Sequence, residues 1–303
     1  MERSASGHSS PSDSPSPWSV QGQRCLITGA NTGIGRVTAI ELAKRGARLI
    51  LAGRSRERHR EVMEAVHQHG PEPIFVPLDL ASLASVRSAA RTVLDAADDL
   101  PLLINNAGVA GFRGRTRDGF ELAFGVNHLG HHLLTRLLWS LVARDRPGRV
   151  IVVASKAHYD AKSLDWSAFR QRTRSLTGVP EYERSKLCNV LFAQALARRV
   201  PPSVSVYALH PGVVASDIWR RIPQPFRWYM TRRMISNEEG AQGTLQLATA
   251  ARIEAPSGTY FNKTVAKEPN PLALDFALQE QLWRRSEAWC GLEDDTGTSV
   301  MTG

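Results

Sequence analysis

A chain of 303 residues with 42% hydrophobic and 22% charged residues reads as an ordinary soluble globular protein, with material for one sizeable core. Its formal charge of +9 suits an anionic partner, whether a phosphate-bearing cofactor, nucleic acid or an acidic membrane surface, and does not choose among them. Cys25, Cys188 and Cys290 lack the spacing of a disulfide framework or a zinc site, so a reducing, cytoplasmic setting and no metal are expected.

In chain order, residues 1–19 are rich in Ser and Pro and lack the apolar core of a signal peptide or anchor. They are expected to be a disordered tail. No stretch approaches the roughly 20 apolar residues that cross a bilayer. Short apolar runs rich in β-branched residues follow at 24–29, 47–53, 73–80, 101–108, 149–155 and 203–210, each with the character of a buried parallel strand. Amphipathic stretches at 37–45, 56–69, 83–97, 122–142 and 182–199 alternate with them at a spacing that suits crossover helices. The alternation predicts a single Rossmann-type doubly wound parallel sheet of about seven strands, with helices on both faces. Residues 20–292 are expected to form that one domain, and residues 293–303 a disordered C-terminal tail. In such sheets the site lies at the carboxyl ends of the strands.

The first strand runs into TGANTGIGR, with Gly29, Gly33 and Gly35 just before a helical period. Glycines there permit a tight turn and let backbone N–H groups approach a pyrophosphate, which the helix N-terminus favours. Asn31, Thr32 and Ile34 fill the loop and join them as candidate cofactor contacts. The spacing is not the usual G-x-G-x-x-G, so strand, loop and helix order carries this reading. After the second strand, Gly53 and Arg54 occupy the place where a carboxylate would bind the ribose hydroxyls of NAD. A guanidinium there favours NADP(H) over NAD(H). Asp79 and Leu80 follow the third strand, and Asn106, Ala107 and Gly108 the fourth; these residues can reach an adenosine or cap the next helix. Ser155 closes the fifth strand, and Tyr182 and Lys186 share one helix face at i and i+4. An ammonium beside a phenol lowers its pKa from about 10 and makes Tyr182 a usable general acid.

With these pieces in order the chain resembles the short-chain dehydrogenase/reductase family, and within it the retinol dehydrogenase-like group, from about residue 21 to residue 292. The resemblance rests on TGANTGIG, NNAG, Ser155 with YERSK, HPGVV, and longer phrases such as DGFELAFGVNHLGHHLLT and SKLCNVLFAQALARR. It implies hydride transfer between NADP(H) and a carbonyl or alcohol carbon. Tyr182 is then the general acid/base, Ser155 the holder of the substrate oxygen, and Lys186 the residue that lowers the tyrosine pKa and binds the nicotinamide ribose. Asn127, in GVNHLG, would anchor a water that links the lysine to solvent. Pro211 and Gly212 turn the chain past the cofactor, the Val214 backbone meets its carboxamide, and Ser216 stands where threonine is common.

By the same resemblance residues 213–237 are a substrate lid, aromatic and basic in this chain. It suits a wall over a lipophilic substrate or an interfacial helix on anionic lipid. The expected partner is a lipophilic carbonyl or alcohol and not nucleic acid. Peripheral membrane contact through the lid and homo-oligomer formation stay open, as does a non-catalytic NADP-binding sensor or scaffold with the same fold. His128, His131 and His132 lack a metal-binding pattern, His158 has no assigned role, and Trp283 and Trp289 read as anchors onto the domain or a subunit partner.

Overall fold

The computed structural model describes residues 18–144, 146–213 and 235–292. Its strands are β1 (Arg24–Thr28), β2 (Arg48–Gly53), β3 (Ile74–Pro77), β4 (Leu102–Asn105), β5 (Gly148–Val153), β6 (Val204–His210), β7 (Tyr260–Asn262) and β8 (Val265–Ala266). They form one sheet in the order β3-β2-β1-β4-β5-β6-β7-β8. Every pairing from β3 through β7 is parallel, and β8 alone runs antiparallel to its neighbour. The six apolar runs are the first six strands, each a little shorter than its run. The sheet differs from the expected seven parallel strands by β8, a two-residue return made possible by a reversal at Lys263, whose φ is 57°.

The helices are α1 (Gly33–Lys44), α2 (Arg56–His67), α3 (Leu83–Ala96), α4 (Leu122–Phe124), α5 (Gly130–Leu137), α6 (Trp139–Val142), α7 (Val179–Ala197), α8 (Asn237–Thr249), α9 (Pro271–Leu274) and α10 (Phe276–Cys290). Alternate residues of each strand feed opposite faces of the sheet. Leu26, Ile50, Leu103, Val150 and Val206 pack in one cluster with residues of α3, α5 and α7. Ile27, Leu49, Leu51, Ile104 and Ile151 pack in the other with residues of α1, α2 and α8. Strand order reverses between β1 and β4, which opens the crevice at their carboxyl ends.

The stretch expected as one helix over 122–142 is broken. Between α4 and α5 lies a π-helical turn, Gly125–Leu129, and α6 is offset by Leu138. The widened turn sits where the backbone passes very close to its neighbours. A Cβ at Gly125 would lie 2.2 Å from Thr116 Cγ2, and one at Gly130 2.8 Å from the Leu80 carbonyl oxygen. Such turns change the direction of the side chains they carry and recur at functional sites. The side chain presented here is Asn127.

Both indoles of α10 are anchors onto the domain itself. Trp283 stacks on Phe192 of α7 and meets His132 edge-on, while Trp289 packs against Phe120 and Phe124. Glu287 of the same helix accepts hydrogen bonds from His132 Nε2 at 2.6 Å and Arg136 Nε at 2.9 Å. Trp18 corrects the expected boundary of the N-terminal tail. Its indole N–H donates to the Ala248 carbonyl at 2.6 Å, and the Arg149 guanidinium lies over its ring at 4.4 Å. The ordered fold therefore includes residues 18 and 19. The remaining tail positions, residues 293–303 and most of the lid, including Val214 and Ser216, lie outside the described residues. At the base of the lid the Ile235 N–H donates to the Val213 carbonyl at 2.9 Å. Among the described residues no helix is long and apolar enough to cross a membrane.

Candidate active site

The loop from β1 to α1 is shaped for an anion. Gly29 and Gly33 have φ of 69° and 58°, values that side chains resist. A Cβ at Gly35 would lie 2.5 Å from Asn106 Nδ2 and 2.6 Å from the Gly29 carbonyl oxygen. Helices α2 and α3 are capped by the side chains of Ser55 and Ser82. The N-cap of α1, Thr32, makes no side-chain hydrogen bond, and no acidic residue occupies the first turn. The first N–H groups of α1 thus keep their capacity for an external acceptor, and the loop fits the diphosphate of a dinucleotide. Asn31, Thr32 and Ile34 line this same turn.

Asn106 ties the loop after β4 to the glycine loop, and Asp79 braces its own loop. Asn106 Nδ2 donates to the carbonyls of Thr28 at 2.8 Å and Gly29 at 3.4 Å, and Asp79 Oδ1 accepts the Ala81 N–H at 3.1 Å. Leu80 is buried against Gly130. The backbone N–H groups of Asn106 and Ala107 both donate to Thr28 Oγ1, at 3.0 and 2.9 Å. Because that oxygen accepts two bonds, its own hydrogen goes to His131 Nε2, 2.9 Å away. His131 Nδ1 then carries the ring proton and donates to the Asn127 carbonyl at 3.0 Å. One buried imidazole joins the glycine loop, the loop after β4 and the π-helical turn.

The catalytic candidates converge at the ends of β4, β5 and α7. Asn127, fully buried, donates through Nδ2 to the Val109 carbonyl and Ser185 Oγ, and accepts the Val109 N–H at 2.8 Å. Gly108 lies between it and the lysine: a Cβ there would be 3.2 Å from Asn127 Oδ1 and 3.6 Å from Lys186 Nζ. Tyr182 and Lys186 are both buried on α7, with the Ser155 side chain near the Tyr182 phenol. Arg54 lies apart from this cluster, exposed beyond β2 at the start of α2. Pro211 and Gly212 are buried just past β6, with Gly212 at φ 103° beside Lys263.

One expectation reverses. Burial raises the Tyr182 pKa, opposed by the Ser155 side chain. The lysine Nζ donates to the Val153 carbonyl at 2.9 Å and lies 5.8 Å from the tyrosine ring centroid. Burial also pushes the lysine itself down to about 7. Desolvation outweighs the charge it was expected to supply.

Two residues that local sequence does not flag hold the serine. Asn270, which precedes α9, donates its N–H to His158 Nε2 at 3.1 Å. His158 therefore carries its proton on Nδ1, which donates to the Ser155 carbonyl at 2.6 Å. The Asn270 amide also donates to the carbonyls of His158, Tyr159 and Ala161. Its one visible signal is an Asn-Pro step, which marks a helix start and nothing more.

The buried histidines give this fold an acid limit. Burial holds His131 and His210 at about 4, against an ordinary value of 6.5. Between those values the unfolded chain binds more protons than the folded one, so stability falls as pH drops through that window. The urea midpoint is expected to decrease from about pH 7 to about pH 5. A midpoint constant over that range would contradict the assignment of these rings as neutral.

Residues 23–169 match the family model described as short chain dehydrogenase. The chain is 40% identical to human retinol dehydrogenase 14 over 91% of its own length and 88% of that protein. The fold superposes on a crystal structure of an uncharacterized Mycobacterium paratuberculosis protein with a TM-score of 0.72 and 30% identity, covering 92% of this chain and 96% of that one. It also superposes on a Shigella flexneri short chain dehydrogenase solved with NADP, with a TM-score of 0.64 and 21% identity, covering 81% of this chain and 99% of the other.

Proposed function

Because the chain belongs to the short-chain dehydrogenase/reductase family, in its retinol dehydrogenase-like group, and is an oxidoreductase of CH–OH groups, we propose that it reduces a lipophilic aldehyde or ketone with NADPH, Tyr182 supplying the proton. The observation that carries this reading is the convergence of three groups. Ser155 lies just past β5 near the Tyr182 phenol, and Lys186 lies one turn further along the same helix. When bound, the nicotinamide supplies the hydride. The glycine loop and the open N-terminus of α1 hold the diphosphate, and Arg54, exposed where β2 ends without a carboxylate, takes the 2′-phosphate.

Ser155 Oγ accepts the Ala157 N–H at 3.2 Å, which leaves its hydroxyl hydrogen to be donated to the substrate oxygen. Tyr182 donates its proton to the same oxygen as charge develops there. A phenol whose pKa burial has raised is held protonated at neutral pH, the state that reduction requires. Lys186, near its own midpoint at neutral pH, is suited to return a proton to the tyrosine. The lipophilic substrate follows from the names of the relatives, and the lid called for by the sequence belongs with it.

The test is a panel of aldehydes and ketones followed by NADPH and NADH absorbance. Activity is expected with NADPH in preference to NADH. In Arg54→Ala, affinity for NADP(H) should fall about tenfold or more, the scale of a charge-assisted contact, and affinity for NAD(H) much less. Equal losses for both cofactors would remove Arg54 from phosphate recognition.

A further inference from the structure

Two segments that lie before α7 in the chain carry arginine at every second position. In RGRTR these are Arg113, Arg115 and Arg117; in RQRTR they are Arg170, Arg172 and Arg174. All six are exposed, while Thr116 and Thr173 between them are buried. The alternation is that of a strand with one wet face. The segments run past one another in opposite directions. Gly114 N–H donates to Thr173 Oγ1 at 3.0 Å, Thr173 N–H donates to the Gly114 carbonyl at 3.1 Å, and Arg115 Nη2 donates to the Arg170 carbonyl at 2.8 Å. Both rows of arginine are thereby set on one outer surface.

The carboxylates nearby are already committed to backbone. Glu121 accepts the Phe124 N–H and the Thr173 hydroxyl, Glu181 accepts the N–H groups of Arg174 and Ser175, and Asp118 accepts the Leu83 N–H. Among the described residues the exposed Arg117 pairs with the half-buried Asp79 at 3.9 Å. Arg113, Arg172 and Arg174 have no carboxylate within ion-pairing distance among the described residues. At the end of the second row Leu176 is 85% exposed, and Val179, the first residue of α7, is 39% exposed.

We propose that this arginine face, with Leu176 at its tip, is a docking surface for an anionic phospholipid bilayer. Unpaired guanidinium groups attract anionic headgroups, and an aliphatic side chain kept in water at the edge of a basic face gains by entering the acyl boundary. The apolar tip favours a bilayer over nucleic acid, whose backbone offers leucine nothing. These segments lie outside residues 213–237, and the proposal does not depend on the hydride-transfer reading. Docking would set the end of the helix that bears Tyr182 against the lipid, where a lipophilic substrate is concentrated.

The experiment is sedimentation of the full chain with vesicles of phosphatidylcholine alone, or with about 30% phosphatidylserine added. Binding is expected only to the second, and is reversed by salt. The triple variant Arg113→Ala, Arg172→Ala, Arg174→Ala should weaken partition about a hundredfold, at about fivefold per arginine. Leu176→Ser should weaken it about tenfold. Neither variant should alter reduction of a water-soluble carbonyl compound without vesicles, which shows that both are folded. Partition unchanged in the triple variant, no partition of the unaltered chain, or arginine-dependent binding to DNA in place of vesicles would each overturn the proposal. If no carbonyl compound is reduced by any form, the functional reading fails while the vesicle result stands, with folding then followed by circular dichroism.

Discussion

Tyr182→Phe is expected to lower turnover by roughly a hundredfold or more and to leave affinity for NADP(H) within about twofold. The ring occupies a buried position on α7, and phenylalanine fills the same volume, so packing is nearly unchanged. What is lost is one hydroxyl, the group proposed to give up a proton to the substrate oxygen. Ser155 and Lys186 keep their backbone partners, since the Ala157 N–H and the Val153 carbonyl are untouched. Rapid-mixing turnover and a fluorescence titration of NADPH separate chemistry from binding. Turnover equal to that of the unaltered chain would remove Tyr182 from the reaction, and a parallel loss of cofactor affinity would make it a binding residue.

The largest effect on stability is expected at Glu287. Its carboxylate is buried between His132 and Arg136 and takes two contacts from the guanidinium at Nε and a third at Nη2. Burial alone raises its pKa, but the hydrogen bonds from His132 and Arg136 hold it below the ordinary range. Glu287→Ala leaves the buried His132 imidazole without its acceptor and removes the contacts of the half-buried Arg136 guanidinium to this carboxylate, a loss of about 3–5 kcal/mol. For a domain of this size that corresponds to a fall in melting temperature of about 10 °C. Glu287→Gln, which keeps an acceptor oxygen, should lose less. A melting temperature within about 2 °C of the unaltered chain for the alanine variant would show that the aromatic contacts of Trp283 and Trp289 hold α10 without the ion pair.

The strands and the crossover helices are legible in the sequence because buried parallel strands are written as continuous apolar runs and each crossover helix has its own period. The arginine face is equally local, an R-x-R-x-R alternation visible to anyone counting in twos. The π-helical turn is not legible, since residues 122–142 are apolar enough to satisfy a regular helix. It goes with the close passage of Gly130 against Leu80, fifty positions away in the chain. His131, Asn270 and Glu287 draw their importance from partners about a hundred or more positions distant. The Tyr182 and Lys186 pair was readable as one helix face, but the direction of the tyrosine shift was not. It depends on how much water the fold removes from both groups, and spacing carries no such information.

The two edges of the sheet have a consequence for how copies of this chain meet. At one edge β3 has four residues and ends in Pro77, which has no N–H to offer a further strand. At the other, β8 is two residues long, with Lys263 and Lys267 exposed on either side of the β7–β8 return. Short, proline-ended or lysine-flanked edges are poor templates for strand addition. Growth by edge-to-edge pairing, the route by which many sheets aggregate, is therefore discouraged at both ends. Association must instead use the helical layers or the loops at the carboxyl ends of the strands.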